Sequence, residues 1–281
     1  MIGSNTLNSK IPLRFFTVTF LWSWFFWLAP SVLSKMRVPE INAVMSIIGH
    51  YLGIIAAFGP AIGAFISLRS TEGAGAIKKY IKSFLSLNFG WKVWASIFLV
   101  IGGSAFLAWI IPEFLGENRP PQYLQSISIF PLFFIIMVFL GGGQEEIGWR
   151  GYIVPYLENR FGLIIGSLIF GVIWAIWHIP LWFIPGTNQI YMNYFAFLLG
   201  CIGLSYFFSW VVEASGRRRL SGLVVHGAMN AFMALFPPIN PGINTIQTRF
   251  WISQIMIFIV GIIVVSVRTV KNRPYIKKFS G

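Results

Sequence analysis

In a strongly apolar chain the chemistry falls to the few polar residues, and here the acids among them are scarce. The 281 residues include no Asp and only eight Glu, yet two of those Glu stand side by side in Gly141-Gly142-Gly143-Gln144-Glu145-Glu146-Ile147-Gly148-Trp149-Arg150. Read as one helix, Glu146 and Arg150 lie at i and i+4 on one face in the favourable acid-first order, and Glu145 projects about 100° away. One carboxylate is then neutralised and its neighbour is left for chemistry. Two further polar sites follow: Trp174-Ala175-Ile176-Trp177-His178, and His226-Gly227-Ala228-Met229-Asn230, whose His226 and Asn230 share one helical face.

A carboxylate that holds a water, with an imidazole beside it, supplies a general base and a general acid. Hydrogen-bond donors on His226 and Asn230 suit a developing oxyanion. Together these groups fit hydrolysis of an amide by an activated water. Two Glu and two His are equally adequate ligands for a Zn²⁺ ion that lowers the pKa of its own water. Both mechanisms stay open at this level. Without Asp, the paired-aspartate intramembrane proteases and the Asp-rich prenyl-diphosphate enzymes are excluded, and there is no His-Glu-x-x-His and no Gly-x-Ser-Gly.

The elements that must carry these groups are membrane spans. Hydrophobic residues make up 56% of the chain and charged residues 10%, the composition of an all-α polytopic membrane protein. Runs of the required ~20 apolar residues cover about Leu13 to Leu33, Ile41 to Leu68, Trp91 to Ile111, Leu124 to Gly142, Leu163 to Ile184, Tyr191 to Val212, Leu220 to Phe236 and Phe250 to Val267. Eight spans, one integral-membrane domain over residues 1–281 and a catalytic core over 124–236 are therefore expected. Of the 21 Lys and Arg, all but Lys35, Arg37, Arg119 and Arg249 fall on one side of this arrangement, which makes that side, with both termini, cytoplasmic. Clusters such as Lys78-Lys79, Arg217-Arg218-Arg219 and Lys277-Lys278 read as topology determinants facing anionic lipid, and no nucleic-acid partner is expected. Residues 76–88 read as a short amphipathic surface helix. Cys201 and the intramembrane His50 read as packing or hydrogen-bonding groups, the loop Pro112 to Gln122 shows no chemistry, and the last span with its basic tail looks structural.

The three polar sites should meet. With a turn near Asn159 to Gly162, Glu145 and His178 each lie roughly 21–24 Å up their arms of a hairpin, and His226 and Asn230 lie roughly 9 and 15 Å from the start of their helix. The common depth is nearer the cytoplasmic face. The helix through Arg150 is expected to continue toward Glu158, kinked at Pro155.

In this order and spacing, Glu145-Glu146-x-x-x-Arg150, an aromatic-x-x-x-His ending at His178, and His226-x-x-x-Asn230 resemble the three motifs of the CPBP family, the CAAX type II prenyl proteases and bacteriocin-processing or immunity proteins. The match runs from about Phe130 to Phe236. It implies that Glu145 activates water, His178 assists, Glu146 and Arg150 support, and His226 with Asn230 holds the oxyanion. Trp174 stands where the family commonly has Phe, and with Trp149 it is expected in the substrate pocket. A metal, if one is used, would take Glu145, His178 and His226, with Zn²⁺ as the ion; the metal-free glutamate mechanism is preferred. The expected substrate is a prenylated CAAX-type protein or a membrane-associated leader, bacteriocin or pheromone peptide, cut in a prokaryotic cell membrane. The competing readings are a non-catalytic immunity or binding protein of the same fold and a transporter. Costly polar groups kept inside the membrane argue against the first, and their clustering at one depth argues against the second.

Overall fold

Backbone that enters lipid must satisfy its own hydrogen bonds, so an apolar chain of this kind becomes helical throughout. The computed structural model describes residues 12–34, 49, 51–124, 126–241 and 247–276, and these form helices with no strand among them. The principal ones are α1 (Leu13–Ser34), α2 (Gly59–Glu72), α3 (Ala74–Lys82), α4 (Trp91–Ile97), α5 (Gly103–Ile110), α6 (Phe130–Phe139), α7 (Val154–Trp177), α8 (Tyr194–Ala214), α9 (Leu220–Leu235) and α10 (Thr248–Ile276). Six stretches are long and apolar enough to cross a bilayer: Leu13–Val32, Tyr51–Glu72, Trp91–Leu115, Ile127–Phe183, Tyr194–Ala214 and Thr248–Arg268. The fourth is 57 residues long and turns at Gly162 (φ 77°), so it is a hairpin of two arms. With the shorter apolar helix α9, the stretches account for the eight expected spans. Leu21, Phe25, Phe139, Phe195 and Ile263 stand outward, more than half exposed, a surface suited to lipid and hazardous in water.

Some packed pairs are neighbours in sequence, α1 with α2 and α7 with α8, and others are distant, α8 with α10 and α6 with α9. Lipid gives no hydrophobic push between helices, so close backbone approach has to supply the contact. Between α8 and α10 it comes from Gly203 and Gly261, where an added Cβ would run into the facing backbone. Asn193 caps α8 by accepting from the amides of Phe195 (3.0 Å) and Ala196 (3.2 Å). On one face of the bundle Arg249 donates from Nε to the Trp109 carbonyl (3.1 Å) and from Nη2 to the Glu117 carbonyl (2.9 Å). The loop Pro112 to Gln122 is thereby fastened to the start of α10.

The acidic stretch departs most from expectation. α6 stops at Phe139, Gly142 takes φ 121°, and the chain continues as a 3₁₀ turn (Gly143–Ile147) and a π-helical turn (Trp149–Ile153) before α7 begins. The break falls at Gly142 and not at Pro155, which lies in the first turn of α7, where a proline costs no hydrogen bond. The amphipathic helix is shorter than expected, ending at Lys82. His50, Lys35, Arg37 and the cluster Lys277-Lys278 lie outside the described residues.

Candidate active site

Unwinding at Gly142 turns the acidic pair into the bundle. Glu146 is wholly buried and accepts from Nη1 of Arg150 with both oxygens, at 2.9 and 3.0 Å, and Nδ1 of His226 lies 2.8 Å from its Oε1. The Glu146–Arg150 pair expected for an α-helix therefore forms across a 3₁₀-to-π junction. Nε and Nη2 of Arg150 have no hydrogen-bond acceptor among the described residues. Instead the guanidinium lies over the rings of Phe170 (4.4 Å), Phe208 (4.9 Å) and Trp174 (5.3 Å), a cage that attracts a desolvated cation.

Glu145 points the other way, onto the wall of a cavity of about 900 Å³. Its Oε2 accepts from the indole N–H of Trp174 at 3.1 Å. The backbone carbonyl of the same Trp174 is 2.8 Å from Nδ1 of His178. Since a carbonyl only accepts, Nδ1 carries the proton and Nε2 is left as an acceptor. One residue thus holds both the carboxylate and the imidazole. Its ring also packs edge-on against both histidines, with centroids 5.7 Å from His178 and 5.3 Å from His226. Trp27, Trp177 and Phe197 enclose the rest of the His178 ring.

Across the cavity, Asn230 donates from Nδ2 to the Gly141 carbonyl, and an added Cβ at Gly142 would collide with Asn230 Nδ2 and His226 Nε2. His226 and Asn230 are therefore pressed against the glycine turn. Because the Glu146 carboxylate can only accept, His226 Nδ1 carries a proton. Its Nε2 donates only when the ring is doubly protonated.

Glu145, Trp174, His178, His226 and Asn230 thus line one cavity, with Glu146 and Arg150 behind its wall. Trp149, expected in the same pocket, is fully buried, packed on Phe15, Phe170 and Trp177, and is not among the lining residues. The wall also includes Cys201 and, from the last span that looked structural, Phe250, Ser253, Gln254 and Ile257. Gln254, one of few amides within an apolar run, was the available signal for that wall. Among the described residues no three His, Cys, Asp or Glu side chains are grouped to hold one ion; were one bound, the Nδ1 contacts of His226 to Glu146 and of His178 to the Trp174 carbonyl would leave the two Nε2 atoms as its ligands.

Fold and site define a polytopic helical membrane protein with a carboxylate, two imidazoles and an amide gathered on one intramembrane cavity. Comparison with known proteins relates the chain, at low identity, to the CAAX proteases. Residues 126–232 match the family model described as Type II CAAX prenyl endopeptidase Rce1-like. Over 242 residues the chain is 23% identical to CAAX prenyl protease 2 of Methanococcus maripaludis, an alignment that covers 82% of this chain and 85% of that protein. The relationship supports a hydrolytic function within the membrane.

Proposed function

We propose that the chain is an intramembrane endopeptidase that cuts a peptide bond in a prenylated CAAX-type or other membrane-associated peptide, using water activated by Glu145. The observation that carries this reading is the double grip of Trp174, whose indole holds Glu145 while its carbonyl holds His178. Glu145 takes a proton from water as the new C–O bond forms at the peptide carbonyl, and His178, through its free Nε2, accepts a hydrogen bond from the same water and aligns it. The oxyanion receives hydrogen bonds from the Asn230 amide and, when the ring is doubly protonated, from His226 Nε2. The proton held by Glu145 then passes to the leaving nitrogen as the C–N bond breaks. No step passes through a metal.

Residues 124–236 form the catalytic core of a single membrane domain, with the basic face and both termini in the cytoplasm. Labelled membrane peptides, a farnesylated CAAX peptide among them, test the reading when offered to purified wild type and to Glu145→Gln, with and without a chelator. Cleavage that persists in chelator and vanishes in Glu145→Gln is the expected result. Loss in chelator would move the mechanism to a metal, and equal cleavage by Glu145→Gln would sink the assignment of the base.

A further inference from the structure

The acidic turn is held from inside the bundle by Arg150 and His226, and it is also held from the basic face. Tyr80, on the amphipathic helix α3, donates its hydroxyl to the Ile147 carbonyl, next in sequence to Glu146. Here the helical register changes: the amides of Tyr152 and Ile153 both reach back to the Gly148 carbonyl, each at 3.1 Å. Tyr80 serves the carbonyl just before that junction. A partner there is needed, because an unmet backbone acceptor in a low-dielectric interior is costly.

The phenol is set firmly. Tyr80 is 4% exposed. It fits so closely over Gly151 that a Cβ there would strike the hydroxyl and the Phe84 ring. Arg219 stacks on it, with the guanidinium carbon 4.8 Å from the ring centroid, and ties back to α3's end through Nη1 to Ser83 Oγ at 2.8 Å. Burial, partly opposed by the Arg219 charge, raises the phenol's pKa well above its usual range, so the hydroxyl remains a donor.

We infer that Tyr80 is a positioning residue for the Glu145–Glu146 turn, acting through the Ile147 carbonyl, with Arg219 and Phe84 clamping its ring. The catalytic side of this inference rests on the endopeptidase reading; the structural side does not. Full-length protein in lipid nanodiscs is compared as wild type, Tyr80→Phe and Phe84→Leu. The last loosens the same packing but touches no hydrogen bond to the turn.

Amide hydrogen exchange across residues 143–153 is expected to speed up about fivefold or more in Tyr80→Phe, the equivalent of one lost hydrogen bond, and to rise by a clearly smaller factor in Phe84→Leu, which loosens the clamp and keeps the hydroxyl. On a cleaved peptide, kcat should fall by about the same factor with KM unchanged. Unchanged exchange in Tyr80→Phe, an equal rise in Phe84→Leu, or a kcat that stays level while exchange rises would overturn the inference. If wild type cuts no peptide, the hydrolytic reading fails while exchange still decides whether Tyr80 holds the turn. Should Tyr80→Phe not fold, Arg219→Gln, which releases the ring and keeps the hydroxyl, is expected to raise exchange over the same residues by a smaller factor, and no rise would count against the inference.

Discussion

Arg150 makes the acidic pair asymmetric. Its side chain is 1% exposed and that of Glu146 is 0% exposed, so neither charge has water to fall back on. Removing one partner of such a pair leaves an uncompensated charge, and Arg150→Ala should cost roughly 3–5 kcal/mol, read as a loss of thermal stability in detergent. Arg150→Lys should recover only part of that. An ammonium keeps the charge but loses the two-oxygen fork and the stacking on Phe170, Phe208 and Trp174. Trp174 permits a finer test. Trp174→Phe keeps an aromatic ring between the histidines and the carbonyl that holds His178, and removes only the indole donor to Glu145. The expected outcome is a folded protein whose kcat is lower by about five- to tenfold, the value of one hydrogen bond; an unchanged kcat would mean the bond is incidental. These residues were legible because charges and imidazoles are so rare in this sequence that each one stands out. Trp149 was not legible: an aromatic beside the motif reads the same whether it faces the cavity or packs on Phe15 and Trp177.

At the level of elements, the unwound stretch between Phe139 and Val154 lets the acids leave the line of α6. A regular helix would carry Glu145 and Glu146 along one rod. The turn at Gly142 instead swings them toward α9, which packs on the 3₁₀ segment. The φ of 121° at Gly142 belongs to a region that side chains with a Cβ rarely adopt, at a cost of about 1–3 kcal/mol. Gly142→Ala also drives a methyl into Asn230 and His226. It should abolish cleavage and lower the melting temperature, whereas Gly103→Ala, where a Cβ meets nothing within 4 Å, should do neither. Comparing the two variants by thermal melt and by peptide cleavage separates the turn from a general intolerance of alanine. Hydropathy could not reveal this break, because apolar residues continue on both sides of it and helix and 3₁₀ turn share the same composition. Three successive glycines, Gly141 to Gly143, were the visible signal, and they mark a break without stating its direction.

For the whole molecule, the position of the site across the membrane depends on how many times the chain crosses. Six stretches qualify by length. Taken as six single crossings, they would leave α9 unassigned and would ignore the turn at Gly162. α9 has 16 residues, about 24 Å at 1.5 Å per residue, short of the ~30 Å hydrocarbon core. It nevertheless buries most of its residues against its neighbours, so it can cross without meeting lipid along its length. Counting α9 once and the 57-residue hairpin twice gives an even number of crossings, from which both termini are expected on the face that carries Lys78, Lys79 and Arg217 to Arg219. Because the chain has a single cysteine, the count is open to a direct test. In a Cys201→Ser background, Ser9→Cys and Ser280→Cys should react with a membrane-impermeant maleimide only from the cytoplasmic side, and Asn118→Cys only from the opposite side. Labelling of the two termini from opposite sides would mean an odd number of crossings, in which case either α9 or one arm of the hairpin does not span.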